Sequence, residues 1–389
     1  DVYKRQGMRY TIGQLAEIID GDRGKNYPKQ DEFYPQGYCL FLNTGNVTKE
    51  GFIFEENQFI MKEKDEALRK GKLKRGDIVY TTRGTVGNAG YYNSSVPYEN
   101  VRINSGMVIL RSNGEIVDAR FLYQILKSEY YRPYFKQYCT GSAQPQLPIK
   151  NFSQIYLNVP DIKTQHRIAD ILSVYDNLIE NNQKQIKLLE EAAQRLYKEW
   201  FVDLRFPGHE NTKIVDGVPE GWSRGLLKEL ISVNYGKDHK KAPDDGNIPV
   251  YGSGGLMRKC NKSLFSGEAV LIPRKGSLNN IMYVDETFWT VDTMFYATMK
   301  QPHTAVFVYF FVKAFDMYSM NIGAAVPSMT AKILDAMDVV IPDKETLEKF
   351  DKLTKTYFNK IKTLQGQNER LKIARDLLLA KLMSGEVEV

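Results

Sequence analysis

The chain has 389 residues, 42% apolar and 26% charged, with 53 Lys+Arg against 47 Asp+Glu and a net charge of +6. That length allows two or three domains with buried cores, and the composition is that of a globular protein. Three cysteines (Cys39, Cys139, Cys260) are too few for a disulfide framework and point to a reducing cytoplasm, and the longest strongly apolar run, 305–312, is too short to span a membrane. No signal-peptide pattern opens the chain, and Met8 is the expected start. In chain order, β-branched and aromatic runs at 77–82 and 106–110 predict strands, and Asp118 is placed to cap a helix over 119–136. A loop at 141–147 and a buried strand ending at Pro160 follow. A long helical region, 161–205, leads to a polar, Gly- and Pro-rich linker, 206–222. Strands at 269–272 and 293–297, a helix over 305–320 capped by Thr304, a loop from Gly323 and a strand ending at Pro342 then repeat the plan, and a second helical region fills 343–389.

The likeness of the halves is also one of sequence. GSAQPQLPIK (141–150) matches GAAVPSMTAK (323–332) at an offset of 182, and Pro160-Asp161 matches Pro342-Asp343. GDIVYTTRG (76–84) resembles GEAVLIPRKG (267–276), and GQLAEII (13–19) resembles GLLKELI (225–231). Three blocks recurring in one order are poorly explained by chance. The expected fold is α+β: two similar α/β domains, 1–160 and 223–342, joined by two long antiparallel coiled-coil helices and produced by an internal tandem duplication.

In the helical regions the apolar residues step by three and four. The first stripe runs through Ile168, Ile171, Leu172, Tyr175, Leu178, Ile179, Leu189, Ala192, Leu196 and Trp200. The second runs through Phe350, Leu353, Tyr357, Ile361, Leu364, Leu371, Ala374, Leu378 and Leu382. Neither helix can bury its stripe alone, so the two are expected to pack on each other, with a globular domain at each end of a rod. Asn182 and Asn368 interrupt the seam, and Gly366 weakens its helix by about 1 kcal/mol relative to Ala.

Catalytic signatures are missing. There is no G-x-x-x-x-G-K-[ST] loop, no complete dinucleotide fingerprint around GSGG (252–255) and no [DNS]-P-P-[FYW] run. The four histidines are scattered, and no Cys or His pair has metal-ligand spacing, so no metal is expected. Glu190-Glu191 reads as solvated helix surface.

Basic loops carry more. Lys72, Lys74 and Arg75 lie in one run with Arg69 and Lys70. Lys237, Lys240 and Lys241 surround His239. Arg258 and Lys259 are adjacent, as are Arg274 and Lys275. A solvated face is the ordinary explanation of any one cluster; contact with nucleic-acid phosphates is the sharper one. Arg83 and Arg274 are read as equivalent, each after a strand and beside a glycine in a polar turn, with Thr85 on one side and Ser277, Asn279 and Asn280 on the other. Arg suits guanine and Asn suits adenine; a turn whose Arg pairs a carboxylate is an equal alternative. Gln144 and Gln146 either read bases or cap local backbone. Charge favours the first half: residues 1–160 carry 22 basic and 17 acidic side chains, net +5, whereas 206–342 carry 14 of each, net 0.

These residues resemble the specificity subunits of type I restriction–modification systems. The resemblance rests on GDIVYTTRGTVG (76–87), GSAQPQL (141–147), TQHRIADILSVYDNLI (164–179), the long helix through Trp200-Phe201 and VPEGW (218–222). Thr164-Gln165 stands where the family often has Glu-Gln, and the second helical region has Thr346-Leu347. The resemblance implies two target-recognition domains, each reading half of a gapped site in double-stranded DNA. It implies helices that set the gap and dock two methyltransferase subunits. The chain itself would be non-catalytic, with S-adenosylmethionine, ATP and Mg on partner subunits. Whether restriction/translocase subunits join them is left open. Two other classes stay in view: a two-headed coiled-coil adaptor for proteins, and a self-sufficient methyltransferase or nuclease.

Overall fold

The structure, a computed structural model, describes residues 7–141, 144–320 and 328–388. Asp1–Gln6, Ala143 and the stretch from Gly323 through Val326 lie outside them. The chain divides into two units. The first takes the described residues up to Asn181 together with those from Gln367; the second is Asn182–Gly366. The division differs from consecutive segments, because each long helix contributes its two ends to different units.

In the first unit, besides a small hairpin of Val47–Thr48 and Gly51–Phe52, the strands are Met8–Thr11 (β1), Ala16–Asp20 (β2), Cys39–Leu42 (β3), Phe59–Ile60 (β4), Ile78–Thr81 (β5), Ala89–Tyr91 (β6), Val101–Ile103 (β7), Met107–Ser112 (β8) and Tyr156–Val159 (β9). They form sheets in the orders β2-β8-β5-β6, β4-β3-β7 and β1-β9. Alternation explains why β5 and β8 are apolar at successive positions. Ile78, Tyr80, Val108 and Leu110 enter a core with Phe121 and Ile125, while Val79, Met107 and Ile109 enter another with Leu40 and Ile103.

The second unit repeats this scheme with Ser223–Leu226 (β10), Ile231–Tyr235 (β11), Ile248–Gly252 (β12), Gly255–Cys260 (β13), Phe265–Pro273 (β14), Met282–Thr290 (β15), Met294–Met299 (β16) and Asp338–Ile341 (β17). Its main sheet runs β11-β16-β14-β15-β12-β13, and β10 pairs with β17 as β1 does with β9. Along β14, Val270 and Ile272 face one core and Ala269 and Leu271 the other.

Four helices of eight residues or more are described: Ala119–Lys127 (α1), Ile162–Tyr197 (α2), Ala305–Lys313 (α3) and Lys344–Ser384 (α4). The Asp118 carboxylate accepts the N–H groups of Arg120 and Phe121, as expected of a cap. α1 nevertheless stops at Lys127, not 136. A helix continued through Pro133 would set the proline ring against the carbonyl of Glu129, so the chain breaks and restarts as a short turn, Arg132–Lys136. α3 likewise ends at Lys313 instead of 320. Asp161 and Asp343 begin α2 and α4 in one way, each accepting the hydroxyl of the threonine three residues on at 2.7 Å.

Within each unit the long helices run antiparallel. In the first, Ile168 and Leu172 share a core with Leu379 and Leu382, and Arg375 pairs with Asp176 at 2.9 Å. In the second, the rings of Tyr197 and Trp200 lie 6.4 and 5.8 Å from Phe350. Ile168, Ile179, Phe350 and Ile361 are buried; Tyr175, Leu189, Leu196, Tyr357, Leu371 and Leu378 are half-buried. The wider stripe is trimmed. Ile171, Leu178 and Leu353 are 37–46% exposed, and Ala192 and Ala374 are exposed. A two-helix seam is narrow, and these positions flank its three-four register. The 206–222 segment is no free linker: Phe206, Val218 and Trp222 belong to the second unit's core, with the Phe206 and Trp222 rings 4.8 Å apart.

Candidate nucleic-acid interface

The two motifs that recur in sequence meet in space. At the end of β5, the N–H groups of Thr82 and Arg83 donate to the Gly106 carbonyl at 2.9 and 3.0 Å. At the end of β14, those of Arg274 and Lys275 donate to the Thr293 carbonyl at 2.9 and 3.3 Å. The later loop is then stapled to the turn: Leu147 N–H donates to Thr82, and Met329 N–H to Arg274, both at 2.9 Å. Gly84 and Gly276 follow with φ of +70° and +84°, a region that favours glycine. This pattern corrects the expected equivalence. Arg83 corresponds to Lys275, and Arg274 to Thr82; the stretch 267–276 carries one residue more than 76–84.

In the first unit, Arg83, Thr85, Gln144 and Gln146 are exposed. Among the described residues no side-chain hydrogen bond engages Arg83, Gln144 or Gln146. The basic run divides. Lys72 pairs with buried Asp65, which also holds Arg102. Arg75 donates to the carbonyls of Asn93, Val96 and Tyr98 and lies 4.2 Å over the Tyr92 ring. Lys74 faces solvent. Beside the turn opens a cavity of about 870 Å³, lined by Gly84, Thr85, Gly141 and Pro145 together with Arg132 and Lys136. Sequence reasoning passed over these last two. Arg132 pairs with Glu129 at 3.1 Å, and its guanidinium lies against Gly87, where a Cβ would come within 3.0 Å of Nη1. Their only signal was position, just ahead of the Gly141 loop.

In the second unit the candidates gather at one end of the six-stranded sheet. The Arg274 guanidinium donates to the Asp292 carbonyl at 3.2 Å and lies 5.4 Å over Tyr235. Lys275 and Ser277 are exposed. Asn279 is taken up by Asp316 and the Met317 N–H, and Asn280 donates to the Ser253 carbonyl at 2.9 Å. The two asparagines therefore shape the turn. Ser253 belongs to the β12–β13 hairpin, so the hairpin tip abuts the Gly276 turn. Further along the hairpin, Arg258 pairs with Asp244, donates to the carbonyls of His239 and Ala242, and meets His239 Nδ1 at 3.3 Å. Lys237, Lys240, Lys241 and Lys259 are left exposed around it. Exposed cations held by rigid backbone, with polar side chains between them, are suited to phosphates and base edges.

Among the described residues, no group of three or more His, Cys, Asp or Glu is placed to hold a metal ion, and no helix is long and apolar enough to cross a membrane.

The type I restriction modification DNA specificity domain matches the chain twice, over residues 7–191 and 219–372. The chain is 24% identical over 473 residues to the type I restriction enzyme HindI specificity subunit of Haemophilus influenzae, with 97% of this chain and all of the relative covered. It is also 24% identical over 369 residues to the MjaIX specificity subunit of Methanocaldococcus jannaschii, covering 84% of this chain and 81% of the relative. The crystal structure of the S subunit of a type I restriction–modification system from M. genitalium shares the fold, with a TM-score of 0.53 at 18% identity, covering 96% of this chain and 95% of that one. With both copies of the domain matched, the chain belongs to the type I restriction–modification DNA specificity family.

Proposed function

We propose that this chain is the non-catalytic DNA-recognition subunit of a type I restriction–modification complex, with each unit's stapled turn reading one half of a gapped site in double-stranded DNA. The single observation that supports this most is the duplicated junction: one backbone device presents different side chains in its two copies. In the first they are Arg83, Thr85, Gln144 and Gln146; in the second they are Lys275 and Ser277, with Lys237, Lys240, Lys241 and Lys259 also exposed in the same unit. Two such readers specify two unlike half-sites. The long helices set the gap and dock two methyltransferase subunits, which carry S-adenosylmethionine, while ATP and Mg belong to partner subunits, among them any nuclease/translocase that joins. Lys72, Arg75, Arg258, Asn279 and Asn280 support the loops instead of contacting bases, since their polar groups are already engaged.

Methylation sequencing of a host carrying this gene with its methyltransferase gene tests the reading. The expected target is asymmetric and gapped; a continuous site would overturn it. Binding to the target should also weaken steeply with salt, as phosphate contacts release counterions.

A further inference from the structure

We propose that the β12–β13 hairpin is a wedge that inserts Leu256 and Met257 into the base stack of the DNA half-site read by the second unit. The proposal rests on the DNA-recognition reading above and adds to it a deformation of the target.

The hairpin carries two large apolar side chains in the open. Leu256 is 60% and Met257 54% exposed, on the edge strand of the sheet. The turn between the strands is only Ser253 and Gly254, and Gly255 takes a φ of +109°. The Met257 sulfur occupies the space that a Cβ on Gly252 would fill, so a glycine there lets the methionine lie at the tip. The tip is held at several points. Asn280 donates to the Ser253 carbonyl at 2.9 Å, Val291 N–H donates to the Tyr251 carbonyl at 3.0 Å, and the Tyr251 hydroxyl bonds Glu286. Arg258 fixes the outer strand to the 239–244 segment.

Exposed apolar side chains on a hairpin with exposed Lys259 on the same strand, and with the Gly276 turn that follows exposed Lys275 against Ser253, match what a duplex offers, phosphates outside and stacked bases within. Apolar wedges of Leu or Met that part a base step and kink the duplex are a known route to tighter wrapping. The flexible pyrimidine–purine steps yield most readily. A unit whose domain carries no net charge gains from a bend that brings more phosphates to its few free lysines. Among the described residues, the first unit's turn has no exposed Leu or Met pair in the segments 82–87 and 144–147 that form it, so the wedge acts on one half-site only.

The test uses the full chain with its methyltransferase partner and a duplex bearing its methylation-defined target, with 2-aminopurine scanned through the second half-site. The expected result is a severalfold rise in fluorescence at one step, lost in the Leu256→Ser/Met257→Ser double variant and restored by Leu256→Met/Met257→Leu. The double variant should keep the wild-type melting temperature, since neither side chain is in the core. Its DNA binding should be several-fold weaker but still detectable. If the wild type binds yet no step unstacks, or the only signal sits at the methylated adenine and survives in the double variant, the wedge is overturned while the DNA-recognition reading stands. Loss of partner-subunit capture in the variant, or a change in self-association, without any change at the DNA would assign the pair to a protein contact and likewise overturn it. A wild type that does not bind the duplex removes both readings.

Discussion

Asp65 shows how a basic cluster can be structural at the level of single residues. Its carboxylate is buried and holds both Lys72 and Arg102. Burial alone would raise its pKa, but the hydrogen bonds and charges of Lys72 and Arg102 outweigh that and hold it below the usual 3.8. A carboxyl lowered in the fold stabilises it above the unfolded value and loses that contribution as pH falls through the folded value. Asp65→Asn leaves buried Arg102 without its counter-charge. It should cost about 3–5 kcal/mol in urea unfolding at neutral pH, and the deficit should shrink as the pH drops below 3.8. A deficit independent of pH would show that the charge is not what matters. Arg83 and Arg258 make the complementary pair. Arg83→Ala should leave unfolding within about 0.5 kcal/mol of wild type and, if Arg83 meets a phosphate, reduce the salt slope of DNA binding by about 1. Arg258→Ala should instead cost about 1–3 kcal/mol, because the carbonyls of His239 and Ala242 lose their donor. The sequence placed both arginines in polar, basic surroundings but could not separate them. Arg258 is engaged by carbonyls 16 and 19 residues away, and no local pattern records such a distance.

At the scale of elements, periodicity was the most legible signal. The three-four spacing placed both long helices, in regions opening at 161 and 343. The buried strand runs at Ile78 and Val270 were equally plain. What failed was the length of the short helices, where Pro133 outweighed a favourable pattern, and the linker, whose Phe206 and Trp222 are core residues inside a polar composition. The correspondence of Arg83 with Lys275 also needed the backbone, because the stretch between the flanking glycines, 76–84 in the first copy and 267–276 in the second, is one residue longer in the second. Gly366 is a weak point that sequence did expose. It lies inside α4, and a Cβ there would meet nothing within 4 Å. Gly366→Ala should therefore raise stability by about 1 kcal/mol, measured as a higher melting temperature. An unchanged or lower value would mean that the helix needs flexibility at that position.

For the whole molecule, duplication divides the work: each unit owns a stapled turn, and only α2 and α4 pass from one unit into the other. On the proposed reading, the distance between half-sites is set through those two helices and base choice by the turns. Matched seven-residue insertions after Asn181 and after Gly366 test that separation. Seven residues return the apolar stripe to within about 20° of its original direction, so the seam is preserved. They lengthen each helix by about 10.5 Å, close to three base pairs at about 3.4 Å per pair. Methylation sequencing of a host carrying the lengthened chain should show a gap wider by about three base pairs and both half-sites unchanged. A gap of unchanged width would mean that the DNA, not the helices, sets the spacing. Altered half-site bases would mean that the turns take their geometry from the helices, and the division of labour would fail.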